Sequence, residues 1–236
     1  MKISVVIAAK NEEDVLQRCL DSVKFADEIV LVDDESTDRT VEIAKMNNVK
    51  IFHRKLDGFA SQKNYGISKC ANKWVLVIDA DEVVSDQLRN NIGGLDIKTE
   101  LVAFDIPRRN HLGKKWLRHG GLYPDYQRRL FDRSKCKYGK REVHEILVVD
   151  GSCGTLQGDI LHATYKDYGE YLAKVNKYAV LEAQWTERRP SVLRPVRVFA
   201  EKYFAEKGIL DGLAGLISAL LLAYYQVIIR REMSKK

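Results

Sequence analysis

Cysteine is scarce and scattered in this sequence. The 236 residues include 4 cysteines, none of which forms a C-x-x-C pair with another: Cys19, Cys70, Cys136 and Cys153. Disulfide scaffolds and paired-cysteine metal motifs have closer and more regular spacings. We therefore expect reduced, mostly structural thiols in a cytoplasmic protein.

Signals for secretion, nucleic-acid binding and repeat architecture are missing as well. One lysine precedes a strand-like run that stops at Lys10, which is too short and too β-branched for a signal peptide. There is no internal repeat and no low-complexity linker. The formal net charge of +6 comes from 39 basic and 33 acidic residues, without a nucleic-acid motif. This modest excess of basic residues suits an anionic substrate or an anionic membrane surface, and we expect no nucleic-acid partner.

The first hundred residues alternate between strand and helix patterns. Four apolar, β-branched segments predict strands: "ISVVIAA", "EIVLVDD", "KIFHRK" and "KWVLVIDADE". Three segments between them predict helices, the second with Ser36 or Thr37 as N-cap: "NEEDVLQRCLDSV", "STDRTVEIAKMN" and "FASQKNYGISKC". This alternation predicts an α/β fold with a parallel sheet covered on both faces. The length suits one large domain or two small ones.

Polar clusters follow three of these strands directly. They are residues 10–13, the pair Asp33 and Asp34, and residues 79–82 with the sequence DADE. The carboxyl ends of parallel strands meet at one edge of a sheet, where such folds bind ligands. We therefore expect the three clusters to converge on one crevice.

The carboxylates of "VLVIDADEVV" are the most specific of these signals. Asp79 and Asp81 are two residues apart, which on an extended segment places both side chains on the same side. Carboxylates this close repel one another unless a positive charge lies among them. Two hard oxygen ligands suit Mg²⁺ or Mn²⁺ together with a phosphate. The alternative is a solvated acidic turn that caps the following helix.

Several motifs resemble those of a known family. "SVVIAAKNEE", "LVDDESTDRT", "QKNYGI" and "VLVIDADE" occur in the order and spacing of family 2 glycosyltransferases with the GT-A fold. "GGLYPDYQRRLF", "REVHE" and "GDILHATY" resemble a narrower group, the lipopolysaccharide core glycosyltransferases of the KdtX/WaaE type. The resemblance implies a Rossmann-like, mainly parallel sheet flanked by helices, with a C-terminal helical extension. Glu35 and Arg39 depart from the family, which often has Gly, and Gly or Asp, at these positions.

The resemblance also implies roles for individual residues at the strand ends. Asp81 would hold the divalent ion, with Asp79 acting through water or ribose and His162 as a further ligand. Asp33 would accept a hydrogen bond from the nucleobase, and Lys63 would neutralise a phosphate unless it is an ordinary exposed lysine. Three further positions would line the nucleotide: Ala8, Asn11 and Glu12.

The implied inverting reaction needs a general base for the acceptor hydroxyl. Asp125 is the first candidate, in a position where the family usually has an acidic residue before a helix. Glu145 is the second. The alternatives are a helix N-cap at Asp125 and a surface pair between Glu145 and Arg141. Near Asp125, two basic residues could steady the diphosphate: Arg128 and Arg129.

The C-terminal part of the chain is predicted to be helical. We expect a glycosyltransferase domain over residues 1–165, with a donor half at 1–100 and an acceptor half at 101–165, followed by a helical extension at 166–236. Residues 209–229 are nearly all apolar and precede a basic cluster that anionic lipid would attract. A buried or dimer helix is one alternative, and a true span another, although Asp211 would then enter the hydrocarbon. A helix lying on the cytoplasmic face is the favoured hypothesis.

Three functions are consistent with these features. The first is metal-dependent transfer of a sugar, which we expect to be a hexose, from a nucleotide sugar such as a UDP-sugar to a membrane glycolipid or lipopolysaccharide-core acceptor. The enzyme would be peripheral on the cytoplasmic face of the inner membrane. The second is a phosphatase of the haloacid dehalogenase type, because "VIDADEV" also fits that nucleophile strand. The third is a non-catalytic protein that binds nucleotide or membrane.

Overall fold

The structure is a computed structural model of the 236-residue chain. It describes residues 1–95, 100–139, 146–165 and 168–235. By contacts, the chain forms two compact units, one of residues 1–108 and 126–162 and the other of residues 109–125 and 163–236. The predicted boundary at residue 165, between the glycosyltransferase domain and the helical extension, stays a prediction.

The N-terminal half of the sheet is parallel, as predicted. Its strands are β1 (Ile3–Ala9), β2 (Glu28–Asp33), β3 (Lys50–His53) and β4 (Trp74–Asp79), in the spatial order β3-β2-β1-β4. Ala8 lies opposite Asp79, and Ala9 lies opposite Asp33. The predicted polar strand ends therefore lie side by side at one edge of the sheet.

The remaining strands make the sheet mixed. After β4 the order continues β8-β6-β12-β5, with β4 and β8 antiparallel and β12 and β5 antiparallel. The strands β7 and β11 also pair with β6, and β9 and β10 form a separate two-stranded sheet. The bounds of these strands are β5 (Glu82–Val84), β6 (Leu101–Leu112), β7 (Lys115–Trp116), β8 (Asp125–Asp132), β9 (Cys136–Tyr138), β10 (Leu147–Val149), β11 (Ser152–Thr155) and β12 (Ile160–Tyr165).

Alternate residues of the central strands pack on opposite faces of the sheet. Val5, Ile7 and Leu76 belong to one buried cluster, whereas Val6 and Val77 belong to another. This period-two division follows from strand geometry and explains the continuous apolar runs. The covering helices are α1 (Leu16–Ser22), α2 (Thr40–Met46), α3 (Phe59–Ser68) and α4 (Asp86–Gly93).

Two local predictions were wrong. Neither Ser36 nor Thr37 caps α2, which begins at Thr40 and has no side-chain hydrogen bond at its N-cap. The Thr37 amide instead donates to Asn11 Oδ1 at 2.8 Å, across the crevice edge. Asp125 does not precede a helix, because β8 begins at this residue.

The second unit contains the C-terminal helices. They are α5 (Tyr168–Trp185), α6 (Arg194–Ala200), a π-helical turn (Glu201–Ala205), a 3₁₀ turn (Gly208–Asp211) and α7 (Leu213–Met233). Leu112 and Leu117 pack in one cluster with Tyr171 of α5 and Ile228 of α7. The predicted helical extension therefore forms its core partly with residues from the middle of the chain.

Candidate active site

The chain turns sharply where β4 ends. Asp79 is the last residue of β4, Ala80 and Asp81 form a turn, and Glu82 opens β5. The Asp79 amide donates to Glu82 Oε2 at 2.9 Å, so Glu82 closes this turn. The turn gives Asp79 and Asp81 different charged partners.

Arginine supplies the positive charge that the cluster of carboxylates requires. Arg129 Nη2 lies 2.8 Å from Asp79 Oδ2 and 2.9 Å from Glu82 Oε1. Arg108 Nη1 lies 3.4 Å from the same Glu82 oxygen. Glu82 is fully buried and Arg129 is only 4% exposed. These residues form an internal charge network behind the turn.

The charges of this network shift the pKa values of its members. Burial alone would raise the pKa of Asp79, but Arg129 and Lys63 hold it well below its usual value. Burial would lower the pKa of Arg129, but Asp79 and Glu82 hold it well above its usual value. Both groups are therefore charged at neutral pH, because each stabilises the ionised form of the other.

Lys63 is a buried residue of α3, so the alternative of an ordinary exposed lysine was wrong. Its Nζ atom lies 3.5 Å from Asp79 Oδ1 and 5.7 Å from the ring centroid of Tyr138. Oδ1 of Asp79 thus faces Lys63, while Oδ2 faces Arg129. This arrangement places two cationic side chains at the end of β4.

Asp81 has a histidine as its neighbour. His162 lies on β12, opposite Glu82 of β5, and its Nε2 atom is 3.3 Å from Asp81 Oδ2. Among the residues that the structure describes, no group of three or more His, Cys, Asp or Glu side chains could hold a metal ion. A carboxylate and an imidazole nevertheless suit a divalent ion that keeps waters and takes phosphate oxygens. The donor chemistry of this pair therefore fits a Mn²⁺ or Mg²⁺ ion.

Asn11 and Asp33 organise the loop after β2. The Asn11 amide donates to Ser36 Oγ at 3.0 Å. The Asp33 carboxylate accepts from the Ser36 amide at 3.2 Å and lies 3.0 Å from His53 Nδ1, with Asp33 only 1% exposed. The predicted nucleotide-binding residues therefore meet at one loop, which Glu12 joins by donating its amide to Thr40 Oγ1 at 2.7 Å.

Glu35 occupies a position where the family often has glycine. Its φ angle is +52°, in the left-handed region that glycine adopts readily. The common family residue at this position is thus the residue that the backbone favours. Glu35 adopts this conformation here and is exposed at the surface.

The adjacent residues Arg128 and Arg129 have different partners. Arg128 forms two hydrogen bonds to the Asp105 carboxylate, at 2.8 and 3.0 Å. Side chains alternate between the two faces along β8, and only Arg129 contacts Asp79. Arg129, and not Arg128, therefore belongs to the strand-end cluster.

The two candidates for the general base lie in different situations. Asp125 belongs to the second unit, where its Oδ2 atom accepts a hydrogen bond from Asn110 Nδ2 at 3.1 Å. Glu145 lies outside the described residues. Their roles therefore stay predictions.

Comparison with known proteins shows the family. Residues 4–147 match the profile described as glycosyl transferase family 2. The chain is a family 2 glycosyltransferase. This glycosyltransferase is 30% identical over 240 residues to the lipopolysaccharide core biosynthesis glycosyltransferase LpsC of Rhizobium meliloti, covering 95% of this chain and 89% of LpsC.

Shorter similarities involve other proteins. Over 92 residues, the glycosyltransferase is 47% identical to the uncharacterized glycosyltransferase RT0209 of Rickettsia typhi, covering 39% of this chain and 32% of that protein. A crystal structure of glucosyl-3-phosphoglycerate synthase from Mycobacterium tuberculosis aligns with a TM-score of 0.39 and 20% identity, covering 48% of this chain and 44% of that one.

Sequence reasoning about this glycosyltransferase missed two members of the charge network. Glu82 directly follows Asp81, and its place among three carboxylates was the available signal. Arg108 lies 26 residues away from Glu82, and no local pattern connects them. Only the pairing of β4, β8 and β6 within one sheet brings these side chains together.

Proposed function

We propose that this glycosyltransferase moves a hexose from a nucleotide diphosphate sugar, most simply a UDP-sugar, to a lipopolysaccharide-core or other membrane glycolipid acceptor. The observation that carries this proposal is the similarity to LpsC along 95% of the chain. The strand-end cluster supports the donor side, because charged and polar groups of three strands lie together there. Family membership leaves no reason to retain the phosphatase or the non-catalytic alternative.

In this proposal Asp81 and His162 would hold a divalent ion, with Asp79 acting through water or ribose. When bound, such an ion stabilises the negative charge that develops on the departing diphosphate. Lys63 lies at the same strand end and adds a positive charge for a phosphate oxygen. Arg129 keeps Asp79 ionised and fixed in position.

The nucleoside would lie at the loop held by Asn11 and Asp33. Ala8, the last residue but one of β1, lies opposite Asp79 and would border the nucleotide. Asp33 would accept from the base, and Glu12 would border the ribose. His53, 3.0 Å from the Asp33 carboxylate, is a further positioning residue for that interaction.

Asp125 is the proposed general base of an inverting transfer, and Glu145 is expected to orient the acceptor. Replacing a general base slows chemistry by about a hundredfold or more while donor affinity is unchanged. We therefore expect Asp125→Asn to lower kcat and to leave the donor Kd as it is. Glu145→Gln is the comparison variant, and the reverse result would exchange the two roles.

Membrane association on the cytoplasmic face is the remaining part of the proposal. The 21-residue helix α7 is apolar and long enough to cross a membrane, with a mean hydropathy of 1.7 and a third of that stretch buried. Asp211 lies before α7, so it does not place a charge within the helix. The packing of Ala219 and Ile228 in one cluster with residues of α5 favours association at the membrane surface over a span by α7.

The test combines a metal requirement with a binding measurement. Nucleoside diphosphate release from a panel of nucleotide sugars is expected to need Mn²⁺ or Mg²⁺ and to stop in excess EDTA. Asp81→Asn should abolish release and also the Mn²⁺-dependent thermal shift with UDP, since a ligand bound to the folded state raises its stability. Asp86→Asn, at an exposed carboxylate on α4, is the matched control. Full activity in EDTA would contradict the metal assignment.

A further inference from the structure

Six apolar side chains between Val192 and Leu213 are unusually exposed. We call them the apolar ridge; each is between 59% and 69% exposed: Val192, Leu193, Val196, Phe204, Leu210 and Leu213. Val192 and Leu193 directly precede α6, and Leu213 is the first residue of α7; the other three lie in α6, the π-helical turn and the 3₁₀ turn. Large apolar side chains that are this exposed and this concentrated in one segment indicate a contact surface for a partner or a membrane.

The ridge is more exposed than the body of α7. Leu220, Tyr224 and Val227 are between 42% and 51% exposed, and α7 also buries Ala214 and Ile229. The long hydrophobic helix is therefore partly used for packing within the second unit. The shorter elements before it carry the more accessible apolar side chains.

Exposed basic side chains occur along the same segment as the apolar ridge. Arg194 and Arg197 lie within α6, and both are exposed. Further exposed cations occur just before α6, after the π-helical turn and at the end of α7: Arg188, Arg189, Lys207, Arg231 and Lys235. The Arg230 guanidinium donates to the Pro190 carbonyl, which brings the basic end of α7 next to the start of α6. Apolar and cationic side chains are thus both exposed along this segment, and the basic end of α7 lies next to its start.

We infer that the apolar ridge is the surface by which this enzyme docks on an anionic phospholipid bilayer, with the body of α7 packed behind it. The inference rests on the proposed membrane acceptor and names the surface that meets the membrane. Apolar side chains enter the interface between headgroups and acyl chains, while the arginines remain at the anionic headgroups. A second copy of the chain fits this surface less well, because a symmetric contact would bring like-charged arginines together.

The same segment holds a loop of the second unit in place. Asp211 is buried, and its carboxylate accepts from the amides of Arg118 and His119, both at 2.8 Å. The Gly120 amide donates to the Glu206 carbonyl at 2.8 Å. Docking of the ridge would therefore fix the segment that also supports residues 118–120, upstream of Asp125.

The test measures co-sedimentation of the full-length protein with vesicles of phosphatidylcholine, with and without phosphatidylglycerol, in the absence of donor. We expect binding to the anionic vesicles. Leu193→Ser/Leu213→Ser should weaken it by about tenfold or more, since two apolar anchors are lost. Met46→Ser/Val148→Ser, at two equally exposed apolar side chains outside the second unit, should bind as the wild type does.

Two further variants separate the contributions. Arg194→Gln/Arg197→Gln should weaken binding to the anionic vesicles and make it less sensitive to salt. Leu220→Ser/Val227→Ser should change binding less than about twofold, because these residues belong to the body of α7. Circular dichroism and Tm establish that each variant is folded.

Three results would overturn the inference. They are wild-type binding by Leu193→Ser/Leu213→Ser, an equal loss for the α7 variant, and a solution dimer that the ridge variant converts to a monomer. Nucleoside diphosphate release is measured separately without vesicles. If the wild-type protein binds vesicles but releases no nucleoside diphosphate, the proposed reaction alone is contradicted. If it releases nucleoside diphosphate but does not bind vesicles, the ridge inference alone is contradicted.

Discussion

Arg129 illustrates how a buried charge can be tolerated at the centre of a sheet. Its guanidinium meets Asp79 and Glu82 within hydrogen-bonding distance, and Glu82 also faces Arg108. Taking a charge out of water is costly unless a partner compensates it. The members of this network therefore keep one another ionised, and removal of Arg129 would leave Asp79 and Glu82 with only their more distant cations, Lys63 and Arg108.

The neighbouring arginines allow a direct comparison of buried and exposed ion pairs. We expect Arg129→Met to lower the free energy of unfolding by about 3 kcal/mol, because the fully buried Glu82 and the partly buried Asp79 lose their nearest cation. Arg128→Met should cost about 1 kcal/mol or less, since its pair with Asp105 is partly exposed. Urea denaturation monitored by circular dichroism measures both. Equal losses of unfolding free energy would show that burial does not determine how much an ion pair contributes to stability.

At the scale of elements, Glu28 connects three strands of the parallel half-sheet. Its carboxylate accepts hydrogen bonds from Ser4 Oγ of β1, from Lys50 Nζ of β3 at 2.6 Å, and from the Ala71 amide before β4 at 2.7 Å. Burial by itself raises the pKa of Glu28, but these hydrogen bonds bring the pKa below its usual value. The ionised carboxylate therefore stabilises the arrangement of these strands.

This lowered pKa gives a pH-dependent prediction. The stabilisation is complete above the unfolded-state pKa of about 4.3 and is lost as the pH falls through the lower folded-state pKa. Glu28→Gln should therefore be about 1–3 kcal/mol less stable than the wild type near neutral pH, with a smaller difference at about pH 3. Urea midpoints at both pH values measure this, and the exposed Glu42→Gln should show little difference at either.

Gly66 shows why α3 packs closely on the sheet. A Cβ atom at this position would lie 2.5 Å from Val6 Cγ1 and 2.9 Å from Val32 Cγ2. We expect Gly66→Ala to destabilise the protein by about 1–3 kcal/mol through overpacking. Gly93→Ala has no atom within 4 Å of the new Cβ and should be neutral or slightly stabilising. Thermal unfolding measures the Tm of both variants, and an equal change of Tm in the two would contradict this expectation.

The sequence was sufficient for elements that depend on local patterns. Strands β1, β2 and β4 were predicted from continuous apolar runs, and their parallel pairing followed from the helices between them. The family resemblance placed a helix after Asp125, where the structure has β8, because the antiparallel pairing of β8 with β4 joins residues more than fifty positions apart. Non-local pairing of this kind overrides local propensity.

The candidate site shows the same division. Asp81 was recognisable from its spacing to Asp79, and His162 from the family resemblance. The cation that meets Asp79 could not be chosen among 39 basic residues, because Arg129 and Lys63 approach it from other elements. A charge pattern predicts that a counter-charge is needed, whereas tertiary structure decides which side chain provides it.

At the scale of the whole molecule, the C-terminal helices form part of a core and are more than an appendage. Ala214, Ala219 and Ile228 pack with Leu117 and Tyr171 in the second unit. We expect truncation after Lys207 to abolish cooperative unfolding of this unit and to promote aggregation, because it exposes that cluster. Size-exclusion chromatography and circular dichroism measure the effect. Truncation after Ser234, which removes two lysines, should leave Tm unchanged.

The hydrogen bonds between residues 118–120 and residues 206–211 make the opening of the C-terminal segment measurable by hydrogen exchange. The amides of Arg118, His119 and Gly120 are three successive donors whose acceptors are provided by Asp211 and Glu206. A backbone amide exchanges with deuterium only when its hydrogen bond opens. The exchange rates of three amides in mid-chain therefore record how often a segment about ninety residues further along the sequence detaches.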